Sequence, residues 1–102
     1  MSDLYNTTTD LDLAACGTYP EFEKVPGHQR RSLVRSIRRL AMRRISAGAT
    51  DPESIAEEVR TELMQTDEFS SIVLIIGLAV ASAVIQWVVK KLLDKWFTGG
   101  IT

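Results

Sequence analysis

The alternation of apolar and polar positions divides the chain into four stretches. Residues 1–27 carry no sustained period: Thr7, Thr8, Thr9, Asp10, Asp12, Gly17 and Pro20 interrupt scattered apolar positions such as Leu4, Tyr5, Tyr19 and Phe22. The expectation is an extended arm with at most one helical turn near residues 11–15, either disordered or ordering on a neighbouring subunit through those anchors. From about residue 29 to 47 the pattern turns helical, with Leu33, Val34, Ile37, Leu40, Ala41 and Ile45 on one stripe. Gly48 then stands where a helix C-terminus favours glycine. A second helix is predicted over about 52–66, on a narrow stripe of Ile55, Val59 and Leu63. Either Thr50 and Glu53 form its capping box, or Asp51 caps and Pro52 takes the first helical position. The two helices and their short link predict an amphipathic hairpin over residues 28–66 that buries one stripe against the other. Such a hairpin buries little area for a freestanding unit, so it is expected to lean on a partner, another copy or a membrane surface.

Residues 69–89, FSSIVLIIGLAVASAVIQWVV, hold twenty-one positions without a charge. As one helix they span roughly 31 Å, against a hydrocarbon core of about 30 Å. Eleven of them are Ile, Leu or Val, which together favour insertion by about 3–7 kcal/mol. Trp87, Lys90, Lys91 and Trp96 form the interfacial anchors expected at the far end. Leu92, Leu93 and Phe97 extend the helix there, giving a transmembrane segment over 67–97 and a tail over 98–102. No Gly or Pro separates the acidic helix from this segment, so the two are expected to run on without a break. The competing reading, a buried helix of a soluble oligomer, asks a chain this small to cover an apolar helix on all faces. Within the span, Ala79, Ser82, Ala83 and Gln86 share one face, and Gly77 and Ala81 form a small-residue pair beside it. These six are the candidates for helix–helix contact in the membrane.

Charge sharpens the division. The 102 residues carry a net charge of −1, but seven arginines fall between positions 30 and 44 and six carboxylates between 53 and 68. Arg31, Arg35, Arg38, Arg39 and Arg43 occupy the circumference outside the apolar stripe. Three readings compete for them: a solvated face neutralised by Glu53, Glu57, Glu58 and Glu62, contact with phosphate, or docking on an acidic protein. Guanidinium pairs with phosphate in a planar fork, and a basic amphipathic helix can lie along headgroups. Phosphate contact, to lipid headgroups or nucleic acid and without base selection, is the expectation carried forward.

Little catalytic chemistry is in view. One cysteine, Cys16, and one histidine, His28, leave no Cys-based zinc site and no His–His metal motif. Glu53, Glu57, Glu58 and Glu62 have helical spacing but no apolar cleft to perturb them. There is no phosphate-cradling glycine loop, and no nucleophile with a base. A non-enzymatic protein without cofactor or metal is expected. Cys16 is read as a small apolar residue in a reducing compartment.

The expected fold is an all-α membrane protein, with a single transmembrane helix preceded by the amphipathic hairpin and the extended arm. Three lysines beyond the span against Arg60 before it would put the C-terminus inside. Translocating nearly seventy N-terminal residues without a signal peptide is the harder route, so the N-terminal region is expected inside. The expected partners are the bilayer, other membrane or capsid subunits, and further copies of the chain. These features predict a minor virion membrane protein of a virus or phage with an internal membrane, tying bilayer to capsid shell or genome. The alternatives are a single-span accessory subunit of a cellular membrane complex, as in a bacterial inner membrane, and a holin-like lysis protein.

Overall fold

A computed structural model describes the backbone of residues 8–101 and the side chains of residues 8–95, and every regular element among them is helical. In order these are α1 (Thr8–Thr18), a 3-10 turn (Pro20–Lys24), α2 (Gly27–Ser46), α3 (Pro52–Leu63), α4 (Asp67–Ile76) and α5 (Leu78–Ile101).

α2 and α3 follow the hydrophobic period. The six stripe residues of α2 are all buried, as are Ile55, Ala56, Val59 and Leu63 of α3. α2 ends in a Schellman motif: Gly48 N–H bonds to Ile45 O and Ala49 N–H to Arg44 O, both at 3.0 Å. Gly48 holds φ +106°, which favours glycine. Of the two caps open to α3, Asp51 is the one used. It accepts from Ser54 N at 3.3 Å and from Ser54 Oγ at 2.7 Å, with Pro52 following it. These bonds hold the Asp51 carboxyl below the usual carboxylate range. Its capping contribution is therefore present above the unfolded-state pKa and lost as pH falls through the depressed value.

Three expectations need correction. The first concerns the arm. Residues 8–24 are not extended but form α1 and the 3-10 turn, and Leu11, Ala15, Phe22 and Val25 are fully buried. The apolar face of α1 is built from Leu11 and the small residues Ala15 and Cys16 (i, i+4, i+5), too weak a period to stand out. Leu4 and Tyr5 lie outside the described residues.

The second correction concerns continuity. α3 ends at Leu63, three residues short of the predicted boundary, and Thr66 stands extended at φ −105°, ψ 146°. Its hydroxyl accepts from Phe69 N at 3.3 Å and donates to Leu63 O at 2.7 Å, so one threonine closes α3 and opens α4. Thr66→Ala should cost about 1 kcal/mol, read as a lower urea midpoint with an unchanged slope.

The third concerns the span. The helix expected over 67–97 is two helices broken at Gly77 (φ +89°, ψ 155°) and bent there by 114°. No single helix among the described residues is long and apolar enough to cross a membrane. α4 and α5 together meet the length and composition required, but only as this bent pair. α5 packs between α2 and α3, which meet it more extensively than they meet each other. The hairpin stripes are thus covered mainly by the segment assigned to the bilayer. α5 does this with one face: Ala81, Val84, Ile85, Val88, Val89, Leu92 and Leu93 are buried, while Ala79, Gln86 and Lys90 are exposed. The radius of gyration, 12.9 Å, is about that of a compact domain of this length.

Candidate functional site

The seven arginines of α2 divide by what surrounds them. Arg30 faces α1, where its Nε lies 2.7 Å from Asp12 Oδ1 and its Nη2 3.4 Å from Oδ2, while Nη1 donates to Val25 O at 2.8 Å. The Asp12 side chain is 1 % exposed. The bond to Asp12 raises the Arg30 pKa above its already high value, so the guanidinium stays charged throughout the physiological range. The Cys16 thiol approaches the same carboxylate at 3.9 Å, and burial raises its pKa. A buried thiol held protonated is a poor nucleophile. At the other end of α2, Arg44 pairs with Glu58 at 2.7 Å and also with Glu62, and donates to Leu40 O.

The five arginines singled out from the sequence are the remaining ones. Among the described residues, none of Arg31, Arg35, Arg38, Arg39 and Arg43 makes an ion pair. Among the described residues the α3 carboxylates pair with Arg44 alone of the α2 arginines. Arg35, Arg39 and Arg43 are exposed; Arg31 and Arg38 are half-buried. The Arg31 guanidinium folds back over the start of α2, close enough that a Cβ at Gly27 would lie 3.1 Å from its Nη1. Arg35, Arg38, Arg39 and Met42 line a shallow depression of about 250 Å³. Three guanidiniums around an open depression make a cationic surface suited to an anion that can be gripped from several sides.

The residues expected to meet another helix in the membrane are dispersed. Ala81 is buried in the bundle core, Gly77 and Ala79 are exposed at and after the bend, and Ser82 and Ala83 are half-buried. Ser82 and Gln86 line a polar cleft of about 390 Å³ with Glu53, Glu57 and Arg60 of α3. Across that cleft they face α3 of the same chain. Of the interface anchors, Lys91 Nζ lies 5.7 Å over the Trp87 ring, within cation–π range. Lys90 is exposed, and the side chains of Trp96 and Phe97 lie outside the described residues. His28 is exposed in the first turn of α2, and no group of acidic, His or Cys residues among the described residues is arranged to hold a metal.

One further surface escaped the sequence reading. Met64 (52 % exposed), Leu74 (88 %), Ile75 (41 %) and Leu78 (40 %) are large apolar side chains left open near the α4–α5 bend, where Met64, Leu74 and Leu78 line a depression of about 330 Å³. Exposed apolar residues scattered singly need no explanation, but a cluster astride a bend does. Its signal in the sequence was Gly77 itself, which there reads equally well as a small-residue contact.

Comparison with known protein families, curated proteins and solved structures finds no match to this chain.

Proposed function

We propose that this chain is a non-enzymatic structural protein of a membrane-containing assembly, joining a bilayer to what lies beside it. The α4–α5 segment meets the lipid, and the outer face of α2 meets phosphate. The observation that carries this reading is the division of the arginines. Those that stabilise the bundle, Arg30 and Arg44, have carboxylate partners, whereas the five on the outer face have none among the described residues. The open apolar cluster at Met64, Leu74, Ile75 and Leu78 supports the lipid side of the reading.

The setting proposed is a virion with an internal membrane, where a small component must connect bilayer to shell or packaged genome. Over residues 8–24 the arm is folded into the bundle, so the connection runs through the arginine face. A single-span accessory subunit of a cellular membrane complex is the second reading. The polar cleft of Ser82, Gln86, Glu57 and Arg60 favours it as a place for a larger partner to dock.

The full chain should bind vesicles containing phosphatidylglycerol and bind neutral vesicles far less. Changing Arg31, Arg35, Arg38, Arg39 and Arg43 to Gln should weaken that binding tenfold or more, since each basic group near an anionic surface contributes up to about 1 kcal/mol before screening. The bundle should fold unchanged, because none of the five is used inside it. If the phosphate belongs to nucleic acid, duplex DNA will be bound instead, with a log–log salt slope near −4.5 at about −0.9 per contact. Equal binding by the five-fold variant, or none to either ligand, would remove the phosphate reading.

A further inference from the structure

We infer that Gly77 is a hinge at which α4 and α5 straighten into one bilayer-spanning helix, the lipid bilayer being the partner that opens the bundle. The inference rests on the membrane reading above and adds how one chain can hold both arrangements.

Residues 69–89 are free of charge, and as one helix they match the hydrocarbon thickness, roughly 31 Å against about 30 Å. The only residue keeping α4 and α5 from being that helix is Gly77, at φ +89° and ψ 155°. That conformation is almost confined to glycine. Gly77 is exposed, and an added Cβ would meet nothing within 4 Å. Packing at the residue therefore does not enforce the bend; glycine's own backbone permits it. On either side stand Leu74, Ile75 and Leu78, which water solvates poorly and hydrocarbon solvates well.

Two opposing terms decide which form is populated. In water the buried face of α5 needs the stripes of α2 and α3, so the bundle closes. In a bilayer the same side chains are solvated by acyl chains at little loss, and the gain from removing Leu74, Ile75 and Leu78 from water is added. α2, uncovered by the departure of α5, then lays Leu33, Ile37 and Leu40 into the interface. Its five outer arginines, without an ion pair among the described residues, come to lie among headgroups, the arrangement of a basic interfacial helix. The arginine face and the hinge are thus two parts of one transition.

Cys16, the only thiol in the chain, is the reporter. It is 8 % exposed on α1, which packs chiefly against α2 and also against α5, the two helices that part when the bundle opens. The full chain is treated with a maleimide in buffer, then with vesicles of phosphatidylglycerol and phosphatidylcholine, with vesicle association measured alongside. Labelling should be slow in buffer and at least tenfold faster on vesicles. Gly77→Ala penalises the bent form and should raise vesicle-dependent labelling by about a further tenfold. Ala79 is exposed in the bundle yet sits at the midpoint of residues 69–89. Ala79→Lys should therefore leave slow labelling in buffer and arginine-dependent association intact, while abolishing the lipid-induced rise. Should the chain associate with vesicles while Cys16 stays protected, the hinge is overturned and the structural role at a membrane stands. Should it associate with no vesicle, the hinge and the membrane role both fall, whether or not the arginine face binds duplex DNA. Ala79→Lys labelling as fast as the parent on vesicles would show loosening without insertion and would overturn the hinge alone, even if Gly77→Ala proved too unstable to purify.

Discussion

Asp12→Ala should lower the stability of the bundle by about 3–5 kcal/mol, because it leaves a guanidinium at the core boundary without its counter-charge. Asp12 is 1 % exposed and Arg30 17 %, so little water can replace the lost carboxylate. The pair also ties together elements that are otherwise weakly held. α1 is short, its apolar face is built from Leu11 and two small residues, and its ion pair to α2 is made by Arg30, which at the same time bonds the Val25 carbonyl at the end of the 3-10 turn. Against a typical total of about 5–15 kcal/mol, this is enough to leave the N-terminal element detached or the domain unfolded near body temperature. A fall of roughly 15 °C or more in Tm is expected. Arg44→Ala is the internal comparison. Its partners Glu58 and Glu62 are 60 % and 42 % exposed, and exposed pairs are worth about 0–1 kcal/mol. Equal shifts for the two substitutions in thermal unfolding would mean that Asp12 is not the anchor its burial implies.

What could be read from the sequence was whatever had a strong local period or a strong cap. α2 and α3 fall into this group: a six-residue stripe for one, Asp51 followed by Pro52 for the other. The pairing of Asp12 with Arg30 could not be read, since eighteen positions separate the two and neither lies in a pattern that selects the other. Five of the seven arginines fall outside the apolar stripe of α2 by its period alone, but which of them meets a carboxylate among the described residues depended on where α3 would cross. That crossing brings Glu58 and Glu62 to Arg44 alone. The uncharged run was legible as a segment and not as a place. Hydrocarbon and protein core reward the same side chains, so composition cannot distinguish them. The sequence objection that so small a chain could not cover such a helix assumed that all its faces needed cover. α5 buries one face and leaves Ala79, Gln86 and Lys90 in the open, which a domain of this size can manage. Gly77 carried the remaining information, and its two uses, close helix contact and a positive φ, look identical in one sequence.

Ile85→Ala separates these two environments for α5 most sharply. Ile85 is 1 % exposed, in the same core cluster as the stripe residues of α2 and α3. Its truncation should cost about 2–5 kcal/mol of unfolding free energy in detergent-free buffer, the lost transfer energy plus that of the cavity left behind. Gln86→Ala, on the adjoining exposed position, should stay within about 0.5 kcal/mol. In a bilayer the sizes change while the order stands. An Ile-to-Ala change facing lipid or a loosely packed neighbour forfeits only a fraction of a kcal/mol on an insertion scale, and removal of a glutamine's amide from the span is a gain. Because Ile85→Ala weakens the closed bundle without much weakening insertion, it should also speed Cys16 labelling on vesicles, moving the balance in the same direction as Gly77→Ala by a different route. Urea unfolding in buffer and maleimide labelling on vesicles, applied to the same two variants, test both halves. If Ile85→Ala is silent in buffer, α5 is not the central helix of a closed bundle. If it destabilises the bundle yet leaves labelling on vesicles unchanged, closure and insertion are not opposed.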